Sequence, residues 1–172
     1  MINFLEHAEI IIYLLLLLVL FTTAIIFYKI YVLRQFKNIH LDKLVEKVAS
    51  QIAPIFAREK FRKDELLLLM DSELAEPRRE FERFLPTLAN ISSVAPLLGL
   101  LGTILGMIRS TRGILAVDNT LLLKGISDAL VTTAIGIMIA IPAIISYNYF
   151  LSRLDRMLET IKEKVIIKLE SI

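Results

Sequence analysis

The amino-acid sequence predicts an all-α integral membrane protein with three transmembrane helices and long helical extensions outside the bilayer. Hydrophobic residues make up 56% of the 172 residues, and the mean hydropathy of +0.66 is higher than is usual for a water-soluble domain. Three stretches are nearly free of charge over the roughly 20 residues that a helix needs to cross a bilayer. These two observations set the fold class.

Charge and motif content exclude several classes of function. Twenty basic and 18 acidic residues give a net charge of +2, so no basic field favours nucleic acid as a partner. Cysteine is absent, and His7 and His40 have no partner at metal-ligand spacing, so we predict no metal site. Because the sequence has neither a phosphate-binding glycine loop nor a nucleophile–base pair, we predict that the chain is not an enzyme.

The first predicted span, residues 10–28, consists mostly of large aliphatic residues, which is typical of a helix that faces lipid around most of its circumference. Residues 1–9 carry two acids and no lysine or arginine, whereas Lys29 and Arg34 follow the span closely. The positive-inside rule therefore predicts an N-terminus outside the cytoplasm. Because a basic region before the apolar run is missing, we expect an anchor that is not cleaved.

Residues 29–83 are predicted to form a cytoplasmic helical segment. Apolar residues recur at three- and four-residue spacing from Leu41 to Phe56 with charges between them, which predicts an amphipathic helix that continues the first span. We expect a turn within residues 65–77, "ELLLLMDSELAEP", and a second helix from about Pro77, where proline suits a first helical turn.

The rest of the chain divides into a second span over residues 84–108, a short outer loop over 109–124, a third span over 125–152 and a cytoplasmic C-terminal helix over 153–172. Pro86 predicts a kink near the start of the second span. The C-terminal helix is predicted from the apolar spacing of Leu154, Leu158, Ile161 and Val165.

Small residues distinguish the last two spans from the first. All six glycines lie between Gly99 and Gly136, and small residues let membrane helices approach closely. We predict helix packing at Gly99, Gly102, Gly106, Gly136, Pro96 and Pro142. Packing with no further role is the alternative for the glycines.

Polar residues in these two spans suggest a path for protons. An acid such as Asp128 costs about 2.5 to 3.5 kcal/mol at the centre of a membrane helix and usually faces a bundle interior or an aqueous cavity. It lies four residues, roughly 6 Å, from Lys124, so an interfacial salt bridge is the alternative. Thr103 and Thr133 lie roughly 9 and 14 Å from the outer ends of their helices and can form one polar layer. Asp128 stacks over Thr132, from which Thr133 is turned away, so one of these threonines is expected to face a helix seam.

The segments "APLLGLLGTILGMI" (95–108) and "GISDALVTTAIGIMIAIPAIISYN" (125–148) resemble the ExbB/TolQ/MotA proton-channel family, and three spans in a short chain are closest to ExbB or TolQ. The resemblance implies a homopentameric ring in the bacterial inner membrane, with a periplasmic N-terminus and a cytoplasmic C-terminus. The second and third spans would line a central pore that holds a dimer of a single-span ExbD- or TolR-like partner. A TonB-like protein is a further candidate partner, beside membrane lipids.

On the matching positions, Thr103 and Thr133 correspond to the family's pore threonines, and Asp128 takes the place of an acid that is often glutamate; Thr132 is included in the predicted proton path. The resemblance implies a proton-channel and stator subunit that uses the proton motive force to power TonB-dependent transport. Protons are then the coupling ion, and no cofactor is expected. The alternatives are a TolQ-like subunit of the Tol-Pal system and a non-conducting structural scaffold.

Overall fold

The computed structural model describes residues 7–35, 41–56, 63–113 and 119–170. In these residues the regular structure is entirely helical: α1 (His7–Gln35), α2 (Leu41–Phe56), α3 (Lys63–Glu82), α4 (Leu85–Gly113) and α5 (Asn119–Glu170). Three helices are long and apolar enough to cross a membrane, over Ile10–Gln35, Leu85–Ile108 and Gly125–Leu169. The predicted all-helical fold with three such helices is confirmed at this level, and the pentameric ring stays a prediction.

The chain divides into two compact units, of which the first comprises the described parts of residues 1–26 and 86–147. Within it, α1 buries one narrow stripe of its surface, formed by Ile11, Leu15, Thr22 and Ile25. Most of the other large apolar side chains of α1 are exposed. Because exposed apolar area costs about 25 cal/mol per Å² in water and lipid removes that cost, this surface suits contact with lipid.

The second unit comprises the described parts of residues 27–85 and 148–172 and has its own apolar core. Each of α2, α3 and the C-terminal part of α5 contributes residues at three- and four-residue spacing, as an amphipathic helix must. The buried members are Val45, Val48, Ala49, Ile52, Leu66, Met70, Leu74, Phe81, Leu154, Leu158, Ile161, Val165 and Leu169. The predicted amphipathic helix from Leu41 to Phe56 is α2.

Ion pairs between mostly exposed side chains lie on the surface of the second unit. Lys164 Nζ lies 3.0 Å from Asp42 Oδ1, Lys162 pairs with Asp71, and Arg78 bridges to both Glu82 and Asp155. Exposed pairs of this kind contribute about 0–1 kcal/mol each. Burial of the apolar residues is therefore the larger contribution to the stability of the second unit.

The turn expected within residues 65–77 is wrong, because this stretch lies inside α3. Leu66, Met70 and Leu74 are spaced as one buried helical face, and their burial outweighs the helix-breaking tendency of Pro77, which is accommodated inside the helix. The C-terminal helix predicted over 153–172 corresponds to the end of α5, which is continuous from Asn119 to Glu170.

The helical structure is interrupted at Arg83 and Phe84 instead, between α3 and α4. Phe84 has a φ of 69°, a left-handed conformation that costs about 1–2 kcal/mol in a residue with a side chain. Its ring packs edge-on against Tyr28, with ring centres 5.9 Å apart. Pro86 is the second residue of α4, where a missing amide donor has no cost, so it marks the start of a helix and not a kink.

Lys29 is buried inside the second unit, with 1% of its surface exposed. Its ammonium group donates a hydrogen bond to the carbonyl oxygen of Phe81 and lies 5.0 Å from the centre of the Phe81 ring. Phe81 is in the last turn of α3, where the helix dipole favours a cation. The sequence indicated only a flanking positive charge here, whereas the structure shows a specific contact between α1 and the end of α3.

Candidate functional site

Helices α4 and α5 approach so closely in the first unit that their glycines cannot be replaced without movement. A Cβ atom added to Gly99 would lie 2.8 Å from the carbonyl oxygen of Thr132 and 2.9 Å from the Cα of Thr133. A Cβ on Gly136 would lie 2.5 Å from the carbonyl oxygen of Ala95. Backbone atoms of one helix therefore contact the backbone of the other, the geometry that small residues allow between membrane helices.

Three threonine hydroxyls converge at this approach. Thr103 Oγ1 of α4 lies 3.0 Å from the carbonyl oxygen of Ala129 and contacts the hydroxyl of Thr133 on α5. Thr133 Oγ1 lies 3.1 Å from the carbonyl oxygen of Gly99, which Thr132 Oγ1 also approaches, at 3.2 Å. We call these three residues, Thr103, Thr132 and Thr133, the threonine cluster.

The hydrogens of the Thr103–Thr133 pair can be arranged in more than one way on the same heavy atoms, since Thr103 Oγ1 also lies 3.1 Å from the carbonyl oxygen of Gly99 on its own helix. Each hydroxyl has one proton to donate and two lone pairs to accept with. Thr103 can donate to Thr133 while Thr133 donates to the carbonyl of Gly99, or Thr133 can donate to Thr103 while Thr103 donates to the carbonyl of Ala129. These arrangements interconvert by rotation of hydroxyl groups, without ionisation of either residue.

The members of the threonine cluster differ in burial. Thr132 is 6% exposed, its hydroxyl lies 2.7 Å from the carbonyl oxygen of Ala129, and a Cβ on Gly102 would lie 2.7 Å from its Oγ1. Thr103 and Thr133 are only half-buried. Thr132 is therefore the threonine that faces the helix seam, and Thr103 and Thr133 retain surface that another helix could contact.

The other predicted site residues are Asp128, Pro96 and Pro142, and the structure describes the side chains of the two prolines only. Asp128 lies in α5, four residues before Thr132, but its side chain and that of Lys124 are outside the described part of the structure, as is any salt bridge between them. Pro96 is half-buried within α4. Pro142 is exposed within α5, and its packing role stays a prediction.

A second close approach, formed by Ser110 and Gly125, was missed by the sequence reasoning. Ser110 is buried, its hydroxyl donates to the carbonyl oxygen of Gly106 at 2.9 Å, and a Cβ on Gly125 would overlap that hydroxyl. Ala129 continues the contact, since a Cβ on Gly106 would lie 2.8 Å from its Cβ. The sequence does contain a signal for this approach, because small residues lie four positions apart on each helix. They are Gly106 and Ser110 on α4, and Gly125 and Ala129 on α5.

The threonine cluster supplies hydrogen-bond donors and acceptors but no ionisable group. Within the described residues, no group of three or more His, Asp or Glu side chains could hold a metal ion. Hydroxyls can exchange hydrogen bonds with water or with a carboxyl group of another helix, and they remain neutral when they do so. The arrangement can therefore exchange hydrogen bonds with a protonated or an ionised group on another helix.

Comparison with known families shows the family to which the chain belongs. The family model described as the MotA/TolQ/ExbB proton channel family matches residues 33–163. This chain belongs to the MotA/TolQ/ExbB family. The match includes the close approach of α4 and α5 and most of the core of the second unit, and it leaves out most of α1.

Three relatives show the range of similarity within the MotA/TolQ/ExbB family. The Tol-Pal system protein TolQ of Pseudomonas aeruginosa is 33% identical over 129 residues, which cover 73% of this chain and 48% of the relative. The biopolymer transport protein exbB1 of Vibrio cholerae is 35% identical over 60% of this chain and 50% of the relative. The ExbB protein of Salmonella typhimurium is 42% identical over 37% of this chain and 27% of the relative. The chain spans about half the length of the first two relatives.

Proposed function

We propose that this chain is the proton-path and stator subunit of an ExbB–ExbD-like motor in the bacterial inner membrane. The motor would use the proton motive force to power TonB-dependent transport across the outer membrane. The observation that carries the proposal is the contact between the Thr103 and Thr133 hydroxyls at the glycine-lined seam of α4 and α5. Membership of a proton-channel family supports conduction, and relatives named as biopolymer transport proteins support the transport role.

Hydroxyl groups are suited to a proton path that a second protein must move past. Thr103 and Thr133 can accept a hydrogen bond from a protonated carboxyl group and donate one to a carboxylate. A fixed charge at the position of these threonines would attract an opposite charge on the partner, or repel a like charge, throughout the motion of the partner. The proposed path therefore uses groups that respond to the partner's protonation without titrating themselves.

In the proposed complex, five copies surround a dimer of a single-span ExbD- or TolR-like partner, with α4 and α5 facing inward. The partner's aspartate would receive a proton at the threonine cluster, pass the apolar helix faces as a neutral acid, and release the proton toward the cytoplasm. Each elementary charge that crosses 100 mV supplies about 2.3 kcal/mol for this cycle. Asp128 would lie on the periplasmic side of the cluster and deliver protons to it.

Proton flux in liposomes tests the proposal. The purified chain is reconstituted with its single-span partner, and internal pH is followed after a membrane potential is imposed. The Thr103→Val/Thr133→Val variant is expected to lower flux at least tenfold, because two hydrogen-bonding groups worth about 1 kcal/mol each are lost and 1.36 kcal/mol is a factor of ten in rate. Thr23→Val is the matched control, since the Thr23 hydroxyl is exposed on α1 and bonds back to the carbonyl of Val19.

The outcomes separate the proposal from its alternatives. Equal flux in the double variant and in Thr23→Val removes the threonine pair from the mechanism. A wild-type complex of verified mass that carries no flux favours the structural scaffold.

A TolQ-like role in the Tol-Pal system is the second candidate. It is favoured by the Pseudomonas aeruginosa TolQ match, which covers 73% of this chain against 60% for the Vibrio cholerae exbB1 match. Expression of the chain with its own partner in strains that lack either ExbB–ExbD or TolQ–TolR decides between the two. Restored TonB-dependent uptake supports the ExbB-like role, and restored detergent resistance of the outer membrane supports the TolQ-like role.

A further inference from the structure

We propose that a cavity in the second unit binds the phosphate headgroup of an anionic phospholipid. The cavity has a volume of about 540 Å³ and is lined by the end of α1 and by residues 149–163 of α5. Pockets that bind small molecules commonly have volumes of about 300–1,000 Å³, so the space is sufficient for a headgroup and its glycerol.

Three guanidinium groups line the cavity, those of Arg34, Arg153 and Arg156. Among the described residues, none of the three forms a salt bridge with a carboxylate. A guanidinium group offers a planar fork of donors that matches two phosphate oxygens. Three arginines that share a cavity, and that form no salt bridge with a described carboxylate, favour the binding of an anion with several acceptor oxygens.

The charged residues of α5 that line the cavity are ordered along the helix, with the basic residues before the acidic ones. Arg153 and Arg156 lie nearer the apolar stretch of the helix, and the two acidic lining residues, Glu159 and Glu163, lie farther from it. From Arg153 to Glu163 the helix rises about 15 Å. Three arginines and two glutamates leave one positive charge, which matches the single negative charge of a phosphodiester. The hydroxyls of a glycerol headgroup could donate to the two carboxylates.

The surroundings favour a membrane lipid over a soluble phosphate. Two of the three arginines follow uncharged residues: Arg34 follows the uncharged residues 30–33 of α1, and Arg153 is the first charged residue after the uncharged residues 129–152 of α5. Leu33 and Met157 supply apolar lining, and Tyr149 lies on the apolar side of the arginines. Tyrosine is typical of the headgroup level of a membrane, and basic pockets at that level bind anionic headgroups.

Lipid binding to the purified full-length complex tests the proposal. Native mass spectrometry measures the affinity for phosphatidylglycerol of the wild type and of Arg153→Gln/Arg156→Gln. Each basic residue near an anionic headgroup contributes about fivefold in affinity, so the double variant is expected to bind about 25-fold more weakly. Arg34→Gln should bind about fivefold more weakly, and it gives a second reading if the double variant does not assemble.

Matched controls separate this site from general attraction to lipid. Arg79→Gln removes an exposed arginine of α3 that does not line the cavity, and it should bind phosphatidylglycerol like the wild type. Phosphatidylcholine should bind with equal weakness to every variant, and soluble glycerol phosphate should not displace phosphatidylglycerol at equal concentration. Arginine variants that bind like Arg79→Gln would overturn the proposal, and so would displacement by glycerol phosphate.

Discussion

The hydroxyl of Thr103 on α4 contacts the hydroxyl of Thr133 on α5, where the two helices are close enough for backbone atoms to touch. The contact joins residues 30 positions apart in sequence. Each hydroxyl has a carbonyl of the opposite helix as a second partner, that of Ala129 for Thr103 and that of Gly99 for Thr133. The pair therefore has a hydrogen-bonding direction that can reverse without movement of the backbone.

Retention of the hydroxyl should matter more than retention of the side-chain shape. Thr133→Ser keeps the donor and acceptor and is expected to keep proton flux within about twofold of the wild type. Thr133→Val has the same shape without the hydroxyl, and it should lower flux about fivefold because a hydrogen bond worth about 1 kcal/mol is replaced by a methyl group at a polar site. Flux through the reconstituted complex is the measurement. Equal loss in the two variants would assign Thr133 a packing role only.

Addition of one methyl group at Gly136 should separate α4 from α5. The new Cβ in Gly136→Ala would lie 2.5 Å from the carbonyl oxygen of Ala95 and 3.2 Å from the Cα of Gly99, and backbone cannot move aside as a flexible side chain can. We expect a loss of about 1–3 kcal/mol, the usual cost of overpacking, measured as a lower midpoint of thermal unfolding in detergent. Ala134→Val adds bulk at an exposed position of the same helix and should change the midpoint little. Equal midpoints for the two variants would contradict the close approach.

Sequence patterns were most informative where a periodic feature was long. The apolar runs predicted three membrane-spanning helices, and the spacing from Leu41 to Phe56 predicted α2, because burial of a helical face requires that spacing. The depth of Thr103 and Thr133 along their helices allowed one polar layer, and the structure places the two hydroxyls in contact. Their role as pore residues stays a prediction.

Local signals at prolines were less informative. Pro77 suggested the start of a helix but lies inside α3, and the interruption between α3 and α4 occurs at Arg83 and Phe84. Phe84 has a positive φ, which phenylalanine rarely adopts. No local preference of phenylalanine predicts such a turn, since packing such as the Tyr28–Phe84 contact stabilises it. The burial of Lys29 was equally hidden, because it depends on a carbonyl 52 residues away.

Burial, not charge, should determine the stability of the second unit. Ile161 is 1% exposed and belongs to the apolar core, so Ile161→Ala is expected to lose about 2–5 kcal/mol of unfolding free energy. Ile167 lies on the same helix but is 67% exposed, and Ile167→Ala is the matched control with an expected loss under about 0.5 kcal/mol. Denaturant unfolding of the purified chain measures the two losses. Similar losses would show that the core of the second unit is not packed as described.

The contact of Lys29 predicts that its aliphatic stem and its charge make separable contributions. Lys29→Met keeps most of the buried stem and removes an ammonium group whose transfer from water is costly, so its stability should stay within about 1 kcal/mol of the wild type.

Lys29→Ala removes the stem as well, and the resulting cavity between α1 and the end of α3 should cost about 2–5 kcal/mol, as for other long buried side chains. Thermal unfolding in detergent compares both variants with Lys47→Met, which changes an exposed lysine of α2. If Lys29→Met loses as much as Lys29→Ala, the hydrogen bond to the carbonyl of Phe81 outweighs the packing of the stem, because only the loss of the ammonium group is common to both variants.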